Sequence, residues 1–460
     1  MFLRNQHISP EAPALYDAGE WWTYSRLASE VDRWTGLLKS QTKWTGLLKS
    51  QTKKLVFCFP QSDIPSVCCY LAAIEAGHAV ALLDAKMAPE FRDRLAALYE
   101  PDIIFSAIAT ENYAPLGEPG LWSARQPSEA PIHSDLSLLL STSGSTGSPK
   151  FVRLSEKNVR SNADSIRRAL GIEANDRAIA SLPLNYSYGL SVLNSHLAAG
   201  ASLVLTNEAL TARPFWDLVR EQECTSMAGV PYSYQILRRL DLEGLRVPRL
   251  QTLTQAGGKL TTDLISHFHQ IMARRNGRFF VMYGQTEATA RISILPAEKL
   301  PEKLGSVGPA IPNGSLSIED GEVIYRGPNV MLGYAQERKD LALGDELGGR
   351  LATGDLGYLD ADGFLFHTGR AKRDMKLFGI RINLDEVEAL LRAHGPTAVV
   401  KNGEKLVAYC EQGDAETLTN LRNELAVKLS VHRTALDFRH IANIPVTPNG
   451  KIDYRQLEQL

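Results

Sequence analysis

The sequence has little excess charge of either sign and no long apolar stretch. Its 50 lysines and arginines nearly balance 52 aspartates and glutamates, which leaves a formal net charge of −2. Attraction to nucleic acid or to an anionic membrane needs a clear basic excess, and a membrane-spanning helix needs about 18 or more consecutive apolar residues. We therefore expect no nucleic-acid partner and no membrane span. The first residues, Met1–His7, lack the apolar core of a signal peptide, which predicts a cytoplasmic protein.

Cysteine and histidine do not occur in the patterns that bind metals or form disulfide frameworks. The five cysteines form no Cys-x-x-Cys pair; they are Cys58, Cys68, Cys69, Cys224 and Cys410. The ten histidines form no His-x-x-x-His spacing and no mixed cluster with cysteine. These absences argue against a disulfide-stabilised secreted domain and against the usual zinc centres. We expect buried thiols in a reducing compartment.

Apolar strands alternate with helical patterns over the first part of the 460-residue chain. The predicted elements there are strand Lys54–Phe59, helix Asp63–Ala76, strand His78–Leu83, helix Pro89–Tyr99 and strand Asp102–Ser106. Alternation of this length predicts βαβ units and a parallel sheet. The stretch 117–131, rich in proline, glycine and serine, predicts a surface loop. The fold class is therefore α/β, with a large N-terminal domain of parallel-rich sheets and helices.

The later part of the chain has a different pattern. Glycines and prolines from residue 305 onward surround the alternating strands Ser315–Glu319 and Glu322–Tyr325, which predicts a small antiparallel β-subdomain over about 305–368. After residue 371 short strands alternate with two helices, Leu384–Ala393 and Ala415–Leu429. This pattern predicts a small α+β domain at the C-terminus.

Ten residues, Trp34–Lys43, are repeated without change as Trp44–Lys53. A structural repeat needs about twenty or more residues and about three copies, so this is a tandem duplication. In a continuous helix the second copy would be turned by roughly 80° relative to the first. The two apolar faces could not then share one core surface. We expect one copy to bulge out as a loop or to extend the helix end.

The stretch Ser141–Lys150, Ser-Thr-Ser-Gly-Ser-Thr-Gly-Ser-Pro-Lys, follows the apolar run Leu136–Leu140, which predicts a buried strand. Gly144 and Gly147 let the backbone turn tightly and approach a ligand. Backbone N–H groups, hydroxyls and the Lys150 ammonium are the donors of a polyphosphate-binding loop. The stretch is not a Walker A loop, because it lacks the Gly-Lys-Ser/Thr ending. A flexible linker is the alternative, but the stretch is short and directly follows the strand.

A second motif, Phe279–Glu287, combines a predicted strand with Tyr-Gly-Gln-Thr-Glu. Tyr283 can stack on an adenine ring. Thr286 can bind a phosphate oxygen, and the Glu287 carboxylate is a hard oxygen ligand suited to Mg²⁺. On its own the motif is weak evidence, but its position after the phosphate loop strengthens it.

Five motifs in this order resemble the adenylate-forming superfamily, which contains acyl- and aryl-CoA synthetases, nonribosomal adenylation domains and luciferases. They are Thr142–Lys150, Tyr283–Glu287, Thr353–Asp355, Gly369–Lys372 and Lys451 after Pro-Asn-Gly. The resemblance covers nearly the whole chain. It implies a large N-terminal domain, 1–370, and a small mobile C-terminal domain, 371–460, with a hinge at Lys372.

The resemblance also implies a set of site residues and the cofactors ATP and Mg²⁺. The expected ATP phosphate loop consists of Thr142, Ser143, Gly144, Ser145, Thr146, Gly147 and Lys150. The expected adenine and ribose contacts are Gly258, Lys259, Met282, Tyr283, Gly284, Asp355 and Arg370. The expected catalytic residues are Thr286, Glu287 and Lys451, with Glu287 also binding Mg²⁺.

The acyl pocket implied by the resemblance consists of Tyr186, Tyr188, Gly189, Val230, Ala256 and Gly257. Tyr186 replaces a histidine of the family. Gly189 stands where amino-acid-activating members carry an aspartate for the substrate ammonium, and without that partner a buried ammonium is costly. Together with Tyr232 and Tyr234, the pocket tyrosines favour an aryl or medium apolar carboxylic acid.

The function implied by the resemblance is an AMP-forming acid–thiol ligase. A small carboxylic acid displaces pyrophosphate from ATP, and the acyl group passes to CoA or to the phosphopantetheine of an acyl carrier protein. Gly379, in an element that borders the pantetheine tunnel in the family, favours a thiol acceptor. An amide-forming ligase and a degenerate binding paralogue are alternatives; the paralogue predicts damaged motifs, and none is damaged. A kinase would need a different glycine-rich set, which is missing.

Overall fold

The computed structural model describes residues 2–3, 7–40, 53–107, 112–141, 150–370, 373–377, 380–403, 405–429, 431–447 and 451–460. Contacts divide the chain into two compact units. The first comprises Met1–Leu304, Ala310–Ser315 and Arg326–Leu351, and the second comprises Gly305–Pro309, Leu316–Tyr325 and Ala352–Leu460. The predicted domain boundary after residue 370 stays a prediction, and the predicted hinge, Lys372, lies outside the described residues.

The first unit contains an eight-stranded sheet in the order β15-β14-β13-β12-β10-β11-β1-β2. Its strands are β1 (Pro13–Asp17), β2 (Glu20–Thr23), β10 (Arg177–Ala180), β11 (Ser202–Leu205), β12 (Ser226–Gly229), β13 (Thr252–Gln255), β14 (Arg278–Tyr283) and β15 (Ser293–Leu295). The strands from β14 to β1 pair in parallel, while β2 and β15 pair antiparallel at the two edges. We call this sheet the first sheet.

A second eight-stranded sheet of the same unit has the order β18-β9-β8-β4-β3-β5-β7-β6. Its strands are β3 (Leu55–Cys58), β4 (Ala79–Leu82), β5 (Ile103–Phe105), β6 (Tyr113–Pro115), β7 (Leu121–Ala124), β8 (Leu136–Ser141), β9 (Phe151–Ser155) and β18 (Gly333–Ala335). The central strands β8, β4, β3 and β5 are parallel. The predicted parallel sheet is confirmed.

In the part of this unit that the structure describes, eight α-helices accompany these sheets. They are α1 (Tyr24–Ser40), α2 (Ile64–Glu75), α3 (Pro89–Tyr99), α4 (Glu156–Leu170), α5 (Ser187–Ala199), α6 (Arg213–Glu221), α7 (Pro231–Leu240) and α8 (Thr262–Arg274). Two of these helices begin at capping side chains: the Asp63 carboxylate accepts from the Ser66 backbone N–H (2.9 Å), and the Ser155 hydroxyl accepts from the Asn158 backbone N–H (3.1 Å). None of the helices formed by the described residues is long and apolar enough to cross a membrane.

The main core of the first unit joins both sheets to α1, α2, α4 and α5. Val56 of the second sheet, Leu203 of the first sheet and Leu197 of α5 all belong to one buried cluster. Burial of this apolar surface is the main stabilising contribution to such a unit, at roughly 25 cal/mol per Å². The cluster holds the two sheets in a fixed relation, so loops from both can form one site.

The second unit contains three small sheets. A four-stranded sheet has the order β16-β17-β19-β20, a hairpin is formed by β21 and β22, and a three-stranded sheet has the order β23-β24-β25. The strands are β16 (Ser315–Glu319), β17 (Glu322–Arg326), β19 (Arg350–Leu359), β20 (Leu365–Arg370), β21 (Asp374–Leu377), β22 (Ile380–Asn383), β23 (Thr397–Asn402), β24 (Lys405–Cys410) and β25 (Leu436–His440). The helices are α9 (Leu384–Leu391), α10 (Ala415–Lys428) and α11 (Tyr454–Glu458). This mixture matches the predicted α+β pattern.

Two segments differ from the sequence-based expectation. The stretch 117–131, predicted as a loop, contains β7, which pairs antiparallel with β5; Leu121 and Ser123 point to the buried side of that strand. Residues 326–351, which the expected β-subdomain spans, belong to the first unit. The reason is the pairing of β18 with β9, which no local sequence pattern encodes.

The first copy of the ten-residue repeat begins inside α1, where Trp34 and Leu38 are buried. Residues 41–52, which include most of the second copy, lie outside the described residues. Deleting either copy produces the same sequence, and Trp34 and Leu38 keep their surroundings. We predict that the deletion changes the melting temperature by less than about 4 °C, because loop-closure entropy depends weakly on length.

Thermal unfolding followed by circular dichroism measures this effect, with the single variant Trp34→Ala as a control that should lose stability. A melting temperature of the deletion variant as low as that of Trp34→Ala would show that both copies are packed against the core.

Candidate active site

Four parallel strands of the first sheet, β10, β12, β13 and β14, end at the same edge. Ligands gather at the carboxyl ends of such strands, where the backbone opens into loops. The predicted acyl and nucleotide residues of this unit lie at or shortly after these ends. They are Tyr186, Tyr188, Gly189, Val230, Ala256, Gly257, Gly258, Lys259, Met282, Tyr283, Gly284, Thr286 and Glu287.

The structure distributes these residues between the interior and the surface. Met282, Val230 and Ala256 are buried. Gly258 and Lys259 are exposed at the turn after β13, where the Gln255 side-chain amide donates to the Gly258 carbonyl oxygen (2.7 Å). The apolar members therefore form the floor of the site, and the turn forms its rim.

Two glycines are required by the backbone geometry of the site. Gly257 has a φ of +85°, and a Cβ there would lie 2.4 Å from the Tyr186 hydroxyl oxygen. A Cβ on Gly284 would lie 2.0 Å from the carbonyl oxygen of Ala290. Both positions exclude any larger residue, because real Cβ contacts are longer than 3 Å.

The phosphate-loop lysine and the predicted magnesium ligand meet at one tyrosine. The Tyr334 hydroxyl donates to Glu287 Oε1 (2.9 Å). The Lys150 ammonium lies 3.1 Å from the centroid of the Tyr334 ring, a cation–π contact. Burial and the neighbouring Glu287 charge raise the pKa of Tyr334, so its hydroxyl stays protonated and keeps donating. Lys150 and Glu287 are distant along the chain, so the fold brings them to the same tyrosine.

Tyr334 was not among the residues selected from the sequence. It lies in β18, whose pairing with β9 places it opposite Val152. The only local signal is the preceding Gly333, which has a φ of +146°; a Cβ there would lie 2.1 Å from Glu346 Oε2. A glycine within a strand often marks a place where another group approaches the backbone closely. Gly333 in β18 is such a glycine, and it directly precedes Tyr334.

Thr286 connects this cluster to helix α5. Its hydroxyl donates to the Ser187 hydroxyl (3.3 Å), and Ser187 is the first residue of that helix. The Glu287 carbonyl oxygen accepts from the Met331 backbone N–H (2.9 Å). The loop after β14 is thus held from both sides.

The donor set fits Mg²⁺. Glu287 offers a carboxylate and Thr286 a hydroxyl, and Mg²⁺ prefers oxygen ligands in which one or two carboxylates are completed by substrate phosphates and water. The described residues contain no group of three or more acidic, histidine or cysteine side chains that would form an all-protein cage. A single carboxylate beside a phosphate-binding lysine is the arrangement expected for a metal that arrives with a polyphosphate.

Tyr186 and Tyr188 form the aromatic wall of the predicted acyl pocket, with ring centroids 6.2 Å apart. Burial raises the pKa of each hydroxyl to about 12, so both are neutral donors at physiological pH. The Tyr188 hydroxyl lies 2.8 Å from Thr254 Oγ1 and donates to the Thr254 carbonyl oxygen (2.9 Å).

Of the other two tyrosines that the sequence associated with the pocket, Tyr234 lies next to Tyr188, since both hydroxyls donate to the Thr254 carbonyl oxygen (2.8 and 2.9 Å). Tyr234 is fully buried against Phe268 and Phe279, with centroid distances of 5.0 and 5.3 Å. Tyr232 is 48% exposed on α7. The helical spacing of α7 turns Tyr234 toward the core and Tyr232 toward solvent, and the four-tyrosine pocket stays a prediction.

Gly189 cannot carry an acidic side chain in this backbone. A Cβ there would lie 2.2 Å from the Pro183 carbonyl oxygen and 2.8 Å from that of Leu182. The turn before α5 folds directly over this position. The structure therefore adds a steric reason to the sequence argument against an aspartate that binds an α-ammonium group.

In the second unit, Asp355 and Arg370 face each other as partners of the β19–β20 register. Arg370 Nε donates to Asp355 Oδ1 (3.2 Å), and His367 Nε2 lies 3.6 Å from the same oxygen. Asp355 is only 4% exposed, while Arg370 is exposed. A buried carboxylate held by a strand pair is well oriented to accept two neighbouring hydroxyls.

Lys451 of the second unit is half-buried. Its carbonyl oxygen accepts from the Thr447 backbone N–H (2.7 Å), and its own N–H donates to the Thr447 hydroxyl (3.3 Å). These bonds orient the backbone of the lysine. The remaining predicted site residues lie outside the described residues: Thr142, Ser143, Gly144, Ser145, Thr146, Gly147, Lys372 and Gly379.

Comparisons with known proteins show the family to which this chain is similar. The model of a family described as AMP-binding enzyme matches residues 2–335. A PKS-NRPS hybrid synthetase of Aspergillus candidus is 30% identical over 70% of this chain, and an oxalate–CoA ligase of Arabidopsis thaliana is 30% identical over 71%. This chain spans 14% of the length of the hybrid synthetase and 67% of the length of the ligase.

A solved structure shares the fold. It is the o-succinylbenzoate CoA synthetase of Bacillus subtilis in complex with an acyl-adenylate intermediate, with a TM-score of 0.78 and 23% identity. The match covers 99% of this chain and 97% of that one.

The Tyr334 contact generates a prediction about metal affinity. Tyr334→Phe keeps the ring beside Lys150 but removes the hydrogen bond that orients Glu287. We expect Mg²⁺-dependent ATP binding to need about 10-fold more Mg²⁺, the usual effect of removing a bond that orients a metal ligand. Calorimetric ATP titrations at a series of Mg²⁺ concentrations measure the shift.

The matched control is Tyr113→Phe, which removes a hydroxyl bonded to the Pro101 carbonyl oxygen (2.7 Å) on β6. An equal Mg²⁺ requirement in the two variants would mean that Tyr334 does not orient the metal ligand.

Proposed function

This chain belongs to the AMP-binding enzyme family, and we propose that it is an ATP-dependent ligase that activates a carboxylic acid as an acyl-adenylate and transfers the acyl group to a thiol. The observation that carries the proposal is the Lys150–Tyr334–Glu287 cluster. It combines a phosphate-binding cation with a carboxylate for Mg²⁺ near the carboxyl edge of the first sheet.

In the first half-reaction a carboxylate oxygen of the acid attacks the α-phosphorus of ATP. An O–P bond forms, the bond between the α-phosphorus and the bridging oxygen breaks, and pyrophosphate leaves with the electron pair. Lys150 and the loop before it bind the β- and γ-phosphates. Mg²⁺ held by Glu287 would neutralise the charge on the leaving group. Positioning and electrostatic stabilisation supply most of the rate in such a reaction.

The family resemblance assigns the remaining nucleotide contacts residue by residue. Tyr283 stacks on the adenine, and Thr286 donates to a phosphate oxygen. Asp355 accepts from the ribose hydroxyls, with Arg370 holding it in place. Lys451 contacts the carboxylate and the α-phosphate together, and thus stabilises the charge that develops between them.

In the second half-reaction a thiolate attacks the carbonyl carbon of the acyl-adenylate. A C–S bond forms, the C–O bond to AMP breaks, and the thiol proton goes to solvent. CoA or the phosphopantetheine of a carrier protein is the proposed acceptor, and the Gly379 element is the proposed contact for its arm. The hinge at Lys372 would exchange the adenylating and the transferring arrangement.

Pyrophosphate release over a panel of carboxylic acids, with and without CoA, tests the proposal. Oxalate and o-succinylbenzoate, the acids in the names of the two CoA enzymes above, both belong in the panel. We expect acid-dependent pyrophosphate release and, with CoA, a thioester. Release of ADP instead of pyrophosphate would contradict the proposal. Pyrophosphate release that leads to an amide but to no thioester would show that the acyl acceptor is an amine and not a thiol.

Lys451 provides a prediction that separates the two half-reactions. Lys451→Ala should lower the rate of acyl-adenylate formation by about 10²- to 10³-fold, because it removes a fixed donor to developing charge. Transfer from a preformed acyl-adenylate to CoA should remain largely intact. In that step the thiolate attacks the carbonyl carbon, so no donor to the α-phosphate is needed for the attack. Single-turnover measurements of each step make the comparison.

Lys401→Ala, at an exposed lysine of β23 in the same unit, is the matched control and should leave both steps unchanged. Equal losses in the two steps would refute the role given to Lys451.

A further inference from the structure

One arginine in the first unit is buried without a carboxylate. Among the described residues three arginines are buried: Arg153, Arg291 and Arg338. Arg338 pairs with Asp102 (3.2 Å) and Arg153 pairs with Glu346. Arg291 is 2% exposed, and no carboxylate of the described residues forms an ion pair with it.

The contacts of Arg291 leave part of its guanidinium without a hydrogen bond. One terminal nitrogen donates to the Ser191 hydroxyl at a long 3.3 Å, and the guanidinium carbon lies 4.5 Å over the Tyr188 ring. Its Nε is buried and has no hydrogen-bond partner among the described residues. Burying an arginine in this way is costly unless a partner completes the site, because the group stays protonated.

The guanidinium borders an internal cavity of about 30 Å³. The polar and charged side chains of its lining are Arg291, Arg278, Asp176, His196, Tyr188, Ser191, Ser195, Ser226, Thr252 and Thr254. Its size suits one small polar group, since a single water needs about 10–15 Å³ on the same measure. Tyr188 lines the cavity and is also a wall of the predicted acyl pocket. Tyr188 therefore belongs to the lining of both the cavity and the predicted acyl pocket.

Arg291 has the geometry of an anion receptor. Nε and the adjacent terminal nitrogen of a guanidinium form a planar fork that binds a carboxylate through two parallel hydrogen bonds. The hydroxyl of Ser191 and the ring face of Tyr188 orient the group without neutralising it. A cation that is held by aromatic and hydroxyl groups keeps its charge for a ligand.

We propose that Arg291 binds a second acidic group of the substrate, so that the acid activated by this enzyme is a short dicarboxylic acid. The inference rests on the proposed ligase function and names the substrate class of the same site. It replaces the aryl or apolar acid that the pocket tyrosines had suggested. One carboxylate faces Arg291, and the other is left to attack the α-phosphorus.

The sequence contains a weak signal for this residue. Arg291 is the only charged side chain in the otherwise small or apolar stretch Ala288–Leu295, directly after the Tyr-Gly-Gln-Thr-Glu motif. A single cation in such a run is usually an exposed strand residue. Only the structure shows that this one points inward.

Matched pairs of acids test the proposal on the full-length enzyme. Malonate and propionate, and succinate and butyrate, have equal chain lengths and differ in the second carboxylate. In the pair that reacts faster, we expect kcat/KM for pyrophosphate release to be at least about 10-fold higher for the diacid than for the monoacid. This is the effect of one hydrogen bond to a charged group. Sulfoacetate, offered beside malonate, distinguishes a general anion receptor from one that selects carboxylates.

Substitutions at Arg291 should remove this preference. Arg291→Met keeps the length of the side chain without its charge and should lower kcat/KM for the diacid by about 10- to 100-fold while sparing the monoacid. Arg291→Lys should recover part of the loss. Arg275→Met is the control, because Arg275 is the C-cap residue that follows α8 and donates to the Val247 carbonyl oxygen; it should leave the preference unchanged.

A binding measurement separates this inference from the proposed function. A diacid should raise the melting temperature of the native enzyme but not that of Arg291→Met, whether or not pyrophosphate is released. If pyrophosphate release fails with every acid while this stabilisation is seen, the ligase proposal fails and the Arg291 site stands.

If monoacids and diacids react equally, or if Arg291→Met lowers both equally, the Arg291 proposal is overturned and the ligase function stands. Should Arg291→Met fold poorly, the native preference and the Arg291→Lys variant decide the question by themselves.

Discussion

The segment from Asn329 to Tyr334 is the constraint on which the site depends, because it ties the loop after β14 to the second sheet. The Met331 backbone N–H donates to the Glu287 carbonyl oxygen (2.9 Å), and the Asn329 amide donates to the Arg291 carbonyl oxygen (2.9 Å). The Tyr334 hydroxyl then donates to the Glu287 carboxylate. A single segment therefore positions both the proposed magnesium ligand and the proposed substrate receptor.

Tyrosine rings hold two of the cations of this unit. Lys150 lies over Tyr334 and Arg291 lies over Tyr188. An aromatic face attracts a cation without cancelling its charge, whereas a carboxylate, as in the Arg338–Asp102 pair, neutralises it. The arrangement assigns one cation to the phosphates and one to the acyl side, and an ATP-dependent activation of a diacid needs both.

Local sequence patterns predicted most elements of the fold and the residues of the candidate site that lie in recognisable motifs. The caps at Asp63 and Ser155 and the strand before the phosphate loop depend on near neighbours in the chain, so they could be inferred directly. The β7 strand could not, because its loop-like composition is overridden by pairing with β5. Tyr334 was missed for the same reason, since its role arises from a partner 47 residues away.

What the sequence determined by itself is the chemistry of the site. The residue types around Lys150 and Glu287 favour a polyphosphate and Mg²⁺, and the resemblance of five motifs to the adenylate-forming superfamily implies the roles of Asp355 and Lys451. What only the tertiary structure decided is the environment of each group. Burial, neighbouring charge and cavity shape depend on contacts between distant segments, and these contacts turned Arg291 inward and placed Tyr234 in the core.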